Sequence, residues 1–172
     1  MDTAIGGIYL PHLKHNVIAP VLAYLNLGGE QALHMVTGTF VAESYSGQVT
    51  YLKQLGKGPA LGACQMEPFT YNDIWNNFLN SSKHVSLANE LRSLSGTLNA
   101  SKATIPDVEL LTGNLFFAAA MCRVFYLRIA EPLPKADDAT ALANYHKKHY
   151  NTSLGKANAQ RNIECFQRAI DA

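Results

Sequence analysis

The amino-acid sequence predicts a single all-α, mainly helical domain, and three observations lead there. Apolar side chains recur three and four residues apart along most of the chain, the spacing of helices with one buried face. β-Prone residues gather only once, at Val49-Thr50-Tyr51-Leu52, within a glycine-rich stretch. No internal repeat, low-complexity tract or long linker divides the 172 residues, a length that suits one core and is short for two. Residues 1–172 are therefore read as one domain.

Taken in order, the first apolar segment, residues 13–25, contains Pro20, which predicts two short helices or one kinked helix. Gly28-Gly29 breaks the chain after it. Leu33, Val36, Phe40 and Val41 then mark a helix from residue 30 to about 44 with its apolar stripe turned inward, and Glu43 sits at its C-terminal end. Residues 45–61 carry Gly47, Gly56, Gly58 and Pro59 around the β-prone piece and read as loop with a small hairpin. Thr70 and Asp73 have the spacing of a helix-start cap, continued by Ile74, Trp75, Phe78 and Leu79.

A helix is expected over about 83–94, and a polar connection over 96–105 leads to Pro106 as a first-turn residue. Residues 106–130 form the longest segment, apolar nearly all round from Leu110 to Cys122, which places it in the middle of the domain. That uncharged run falls short of the roughly 18 to 20 residues of a membrane span. Pro132 and Pro134 end it, Asp137 or Asp138 starts a helix through Tyr150, and a last amphipathic helix covers about 156–170. The total is six or seven helices with one glycine-rich excursion.

Composition narrows the function. Apolar residues make up 48% and charged residues 16%, which excludes a disordered chain. Fourteen basic and thirteen acidic residues leave a formal charge of +1 without a basic stripe, so no nucleic-acid partner is expected. His146-Lys147-Lys148-His149 spreads around a helix and reads as a solvated face. Cys64, Cys122 and Cys165 form no CxxC pair and read as reduced, buried thiols. His146 and His149 lie one turn apart, but no third ligand is spaced to join them, so neither metal nor cofactor is expected. Trp75, among Ile74, Phe78 and Leu79, reads as core in preference to a sugar-stacking platform. The N-terminus lacks a basic region followed by an apolar run, so no secretory signal is expected.

One carboxylate stands where chemistry could be done. Splitting a glycosidic bond requires a carboxylic acid held in a partly apolar cleft. Glu43 follows Phe40-Val41-Ala42 and precedes Ser44, at the junction of a buried helix and a loop; read alone, it is better taken as merely ending a helix at the surface. Nineteen residues on comes Gly62-Ala63-Cys64-Gln65-Met66-Glu67-Pro68-Phe69-Thr70. Together these motifs resemble the soluble lytic transglycosylase branch of the lysozyme-like superfamily, with Glu-Ser, a loop, then Gly-x-x-Gln-x-x-Pro-x-Thr.

The resemblance implies a lysozyme-like fold and a division of labour. Glu43 would be the acid and base, Ser44 would support the reacting end of the sugar, and Gln65 with its neighbour Met66 would line the cleft. Gly113-Asn114-Leu115 matches more weakly and would add Asn114. Tyr145 matches a tyrosine that approaches the catalytic Glu, although His146 stands where the family has Asn. Longer wording, including Gly56-Lys57-Gly58-Pro59-Ala60-Leu61-Gly62 and His149-Tyr150-Asn151-Thr152, is similar to small virion proteins of tailed bacteriophages. That likeness spans about residues 36–157 and implies a virion-borne domain that opens peptidoglycan during genome delivery to the host envelope, with other virion proteins as partners. A late lysis enzyme is the other setting.

Which carboxylates are at hand bears on mechanism. Inverting and retaining muramidases need a second carboxylate at a set distance, and Glu67 and Asp73 are the acidic residues soon after Glu43. The family manages with one Glu, which protonates the glycosidic oxygen and then takes a proton from the sugar's own 6-hydroxyl to close an anhydro ring. Glu67 is the weaker alternative acid. The competing expectation is a catalytically inactive structural virion protein on the same fold, favoured if Phe116, Phe117 or Tyr126 face outward.

Overall fold

The computed structural model describes residues 4–5, 7–46, 49–96, 104–151 and 159–172. It opens with a feature the sequence reading missed: β1 (Ala4–Ile5) pairs antiparallel with β2 (Ile8–Tyr9), turning at Gly7 with φ +94°. α1 (Leu10–His12) then passes through π-helical turns at Leu13–Ile18 into α2 (Ala19–Tyr24) without a break. Pro20 is answered by widening. The Ala19 N–H reaches back five residues to the Lys14 carbonyl, so the missing proline donor falls where the ladder changes step and one rod results.

α3 (Glu30–Ser44) follows Gly29. β3 (Tyr45–Ser46) and β4 (Val49–Thr50) make the expected small hairpin, and backbone bridges Lys53–Leu61 and Leu61–Met66 fold the glycine-rich stretch back on itself. α4 (Pro68–Asp73) runs into a second π-helical segment, Ile74–Leu79. The expected cap at Thr70 and Asp73 is corrected here: the helix begins two residues before Thr70, with Glu67 at the cap and Pro68 in the first turn, where its missing N–H is not needed.

A 3₁₀ turn, Ser82–His84, leads to α5 (Val85–Leu94). The long helix expected over 106–130 is in fact divided into α6 (Leu110–Gly113) and α7 (Leu115–Leu127). Asn114 stands between them in extended conformation, and its Oδ1 accepts the Phe117 N–H at 2.9 Å, an N-cap that starts a new helix. Pro106 lies before the first turn instead of within it, its carbonyl accepting the Tyr71 hydroxyl at 2.7 Å. α8 (Ala139–His149) is capped by Asp138, as expected, and α9 (Ala159–Asp171) ends the chain. The described residues are thus mainly helical with very little strand, and no helix among them is long and apolar enough to cross a membrane.

α3 is buried on almost every side, where the sequence reading expected a single inward stripe. Met35, Val36, Phe40 and Val41 are joined in the interior by Thr37, Gly38 and Thr39. The buried hydroxyls are satisfied within the helix, Thr37 donating to the Leu33 carbonyl, Thr39 to Met35 and Ser44 to Phe40. Gly38 is what allows this crowding. A Cβ there would lie 2.2 Å from the ring of Phe166 on α9, and Phe166 is itself fully buried. α3 against α9 is the most extensive helix contact, followed by α8 against α9. α7 covers α3 and the N-terminal rod with a continuous buried run from Phe117 to Cys122. Lys14, also buried, donates to the Ile170 carbonyl at 3.1 Å and so ties the rod to the C-terminal end of α9, where a cation is favourable.

Gly38→Ala is expected to lose about 2 kcal/mol through overpacking, a fall of roughly 4 to 8 °C in melting temperature. Adding Phe166→Leu should return part of that loss, because the two sites share one space; differential scanning calorimetry of the single and double variants checks it.

Candidate active site

The end of α3 is closed by the hairpin that follows it. The Tyr51 hydroxyl donates to the Glu43 carbonyl at 2.8 Å, and the Tyr51 N–H donates to the Ser44 carbonyl at 3.3 Å. Two carbonyls that a helix end leaves open are answered in this way. With the backbone fixed, the Glu43 side chain keeps 17% of its surface exposed and meets His146 of α8, Oε1 lying 3.0 Å from Nε2.

His146 is 1% exposed. Its ring stacks on Tyr150 at 5.5 Å and 17° and lies against Phe166 at 5.4 Å. Nδ1 faces Asn162 Nδ2 of α9 at 3.4 Å, and the same Nδ2 donates to the Ala143 carbonyl at 3.0 Å. Nε2 is close to Oε1 yet not aligned for a hydrogen bond, so the contact is one of proximity. The expectation that His146 belongs to a solvated face is therefore corrected. Lys147 and Lys148 are exposed, whereas His146 falls on the buried stripe of α8 with Ala139, Leu142 and Ala143.

Beneath the pair lies a layer of neutral groups. The Tyr150 hydroxyl donates to the Cys64 carbonyl at 2.9 Å, Tyr150 stacks on Tyr126 at 5.6 Å, and the Tyr126 and Thr39 hydroxyls share a hydrogen bond of 2.7 Å. Burial pushes the Tyr126 and Tyr150 hydroxyls and the Cys64 thiol well above their ordinary values, with the Glu43 carboxylate adding to the effect on each. Burial and then Glu43 raise Tyr51 in the same sense. Glu43 is thus a carboxylate set above a low-dielectric bed of groups that stay uncharged. Cys64, Cys122 and Cys165 are all buried and free.

The other motif residues fold around this point mostly by supporting backbone. Gly62 has φ +74°, and a Cβ on it would lie 2.4 Å from the Leu111 carbonyl, so the motif's glycine is required both by conformation and by close approach to α6. Gln65 is nearly buried, with Nε2 donating to the Gly62 carbonyl at 2.8 Å. Met66 is buried, its backbone pairing with Leu61. Ser44 is buried against Phe40.

The Tyr145 hydroxyl donates to the Glu131 carbonyl at 2.8 Å, so it is the next residue, His146, whose ring reaches Glu43. Asn114 uses both ends of its amide, the cap on α7 and a donor to the Leu94 carbonyl at 2.8 Å. Glu67 is exposed at the start of α4, away from any ion pair among the described residues. Asp73 is engaged by Asn77 at 2.7 Å and by Arg128.

His149 faces Glu131 at 2.8 Å while His146 faces Glu43, so the two histidines address different carboxylates. Among the described residues no group of three or more potential ligands surrounds a metal position. Trp75 is core, as expected, with the Arg92 guanidinium 5.2 Å from its ring. Phe117 and Tyr126 are buried, leaving Phe116 half-exposed. The sequence reading missed His146, Tyr51, Tyr150 and Asn162 as parts of this site; the helical spacing of His146 from Leu142 and Ala143 was the available signal. Compared with family models, with characterised proteins and with solved structures, the chain matches none.

Asn114→Ala is expected to lose about 1 kcal/mol or more through the missing cap, read as a lower denaturation midpoint. A residue serving only a ligand would leave that midpoint unchanged. The Asn77 amide and the Arg128 guanidinium hold the Asp73 carboxyl below the ordinary range. The stability this contributes is present above the ordinary Asp value near pH 4 and is lost as pH falls through the lowered folded value. Asp73→Asn should therefore flatten the acid limb of a pH–stability profile.

Proposed function

We propose that this chain is a lysozyme-like, peptidoglycan-cleaving domain of a phage particle, with Glu43 as the acid and base that splits the MurNAc–GlcNAc glycosidic bond. The observation that carries the reading is the setting of Glu43: one partly exposed carboxylate, fixed at the end of a buried helix, above an uncharged bed and within 3.0 Å of a buried imidazole. The resemblance of Glu43-Ser44 and Gly62-x-x-Gln65-x-x-Pro68-x-Thr70 to lytic transglycosylases supplies the substrate class.

A single carboxyl suffices for the non-hydrolytic route. Protonated Glu43 gives its proton to the bridging oxygen, the bond from that oxygen to C1 of the muramic sugar breaks, and positive charge develops at C1. The carboxylate left behind takes the proton of the 6-hydroxyl as that oxygen bonds to C1, which closes the anhydro ring and returns Glu43 to its starting state. Glu67 is exposed at the head of α4 with no ion pair among the described residues, and Asp73 is bound by Arg128. The one-carboxylate route is taken from the resemblance to lytic transglycosylases.

A second reading, an inactive structural virion protein, is favoured by a different observation. Ser44, Gln65, Tyr145 and Asn114 each spend their polar groups on the protein itself, and Phe69 and Leu55 are largely exposed.

Digestion of purified peptidoglycan separates the two. Wild type should release anhydro-ended fragments detectable by mass, and Glu43→Gln should lower the rate by about 10² to 10⁴ while Glu67→Gln leaves it unchanged. Well-folded wild type that releases nothing assigns the chain to the structural reading.

A further inference from the structure

Glu43 and His146 differ in a way that bears on which oxygen of the carboxylate works. His146 is fully enclosed and so cannot touch a substrate, while Glu43 is partly open. The orientation of the ring is fixed from behind. Asn162 Nδ2 donates to the Ala143 carbonyl at 3.0 Å, which settles which end of the Asn162 amide is the nitrogen. That same nitrogen faces His146 Nδ1 at 3.4 Å. A proton on Nδ1 would therefore meet a donor, whereas a bare Nδ1 accepts from it. The ring proton is left on Nε2, which has Glu43 Oε1 at 3.0 Å and no other partner among the described residues. Tyr150 stacks on the ring and Phe166 lies tilted against it, which holds the plane of the ring.

We propose that His146, its tautomer set by Asn162, is a positioning residue that holds Oε1 of Glu43 and leaves Oε2 to carry the transferred proton. This deepens the reading of Glu43 as acid and base and rests on it. The proton on Nε2 stays on the imidazole throughout; the one that moves passes from Oε2 to the bridging oxygen and is replaced from the sugar's 6-hydroxyl.

The test has an arm that does not depend on activity. In the full chain with ¹⁵N-labelled histidine, long-range proton–nitrogen spectra should show His146 with its proton on Nε2 and a bare Nδ1. Glu43→Gln should shift the Nε2 resonance and leave Nδ1 in place, and Asn162→Leu should mix the tautomers. On peptidoglycan, His146→Phe fills the slot between Tyr150 and Phe166 but has no donor. Its kcat should fall at least tenfold with KM within twofold of wild type, and His146→Gln, which keeps an N–H, should recover part of the loss. If His146→Phe does not fold, Asn162→Leu takes its place, with a smaller fall in kcat expected, in proportion to the share of the Nε2–H tautomer lost in the spectra; a wild-type kcat despite mixed tautomers overturns the proposal.

A proton found on Nδ1, an Nε2 resonance indifferent to Glu43→Gln, or a donorless variant with wild-type kcat overturns the proposal. Wild type that cleaves nothing overturns only the wall-cleaving reading, and the resonances still decide whether the pair is built as described.

Discussion

α3 is enclosed by protein along nearly its whole length, and the rest of the structure follows from what that enclosure demands. Water cannot satisfy groups in the interior, so each must find a protein partner. The threonine and serine hydroxyls turn back on their own helix. Gly38 gives up its side chain so that Phe166 can lie against the backbone. Tyr51 closes the C-terminal carbonyls from the hairpin side. Glu43, the one carboxylate in the second half of the helix, is met by an imidazole from α8 that α9 in turn orients. α8 and α9 are thus both packing elements for α3 and the walls behind the site.

Much of this was legible in the sequence, and the departures share a cause. Hydrophobic spacing gave the helices and their order because burial of one face is written in side-chain identity. It could not show that α3 is covered on every side, since threonine and glycine look like a polar face until a bulky ring such as Phe166 is known to fit there. The division at Asn114 was written in residue type, since asparagine is a preferred N-cap and a poor interior residue, but the apolar run on either side of Gly113-Asn114 masked it; the bond from the Phe117 N–H to its side chain makes the cap. The π-helical turns at Leu13–Ile18 and Ile74–Leu79 are invisible, because they shift hydrogen bonds by one residue without changing which residues are apolar.

At the site the same division holds. Glu43 and Gly62 could be picked out because their roles rest on residue type at fixed spacing: a carboxylate at a helix end, and a glycine where φ is positive and a carbonyl lies close. The side chains of Gln65, Ser44 and Tyr145 turn instead to backbone carbonyls of Gly62, Phe40 and Glu131, bonds that a motif of residue types does not announce. His146 was misread for a more instructive reason. Its neighbours Lys147, Lys148 and His149 are charged or polar, and grouping it with them obscured its place one turn from Leu142 and Ala143 on the buried stripe. A histidine on such a stripe must have its ring nitrogens answered, and the search for those answers leads to Asn162 on one side and Glu43 on the other.

The pairing sets stability and reactivity against each other. A buried N–H left without an acceptor costs about 1 to 3 kcal/mol, so His146 favours whatever state of Glu43 offers it an oxygen. A carboxylate clamped by a perfect hydrogen bond would be a better structural element and a poorer proton carrier. The contact at 3.0 Å is near but unaligned, and it leaves the Glu43 side chain partly exposed beside a buried ring. Removing either partner of such a pair leaves the other partly withdrawn from water without an answer, so Glu43 and His146 are expected to be sensitive to replacement singly. The Glu43–His146 contact, more than any single motif residue, is thus where α3, α8 and α9 depend on one another.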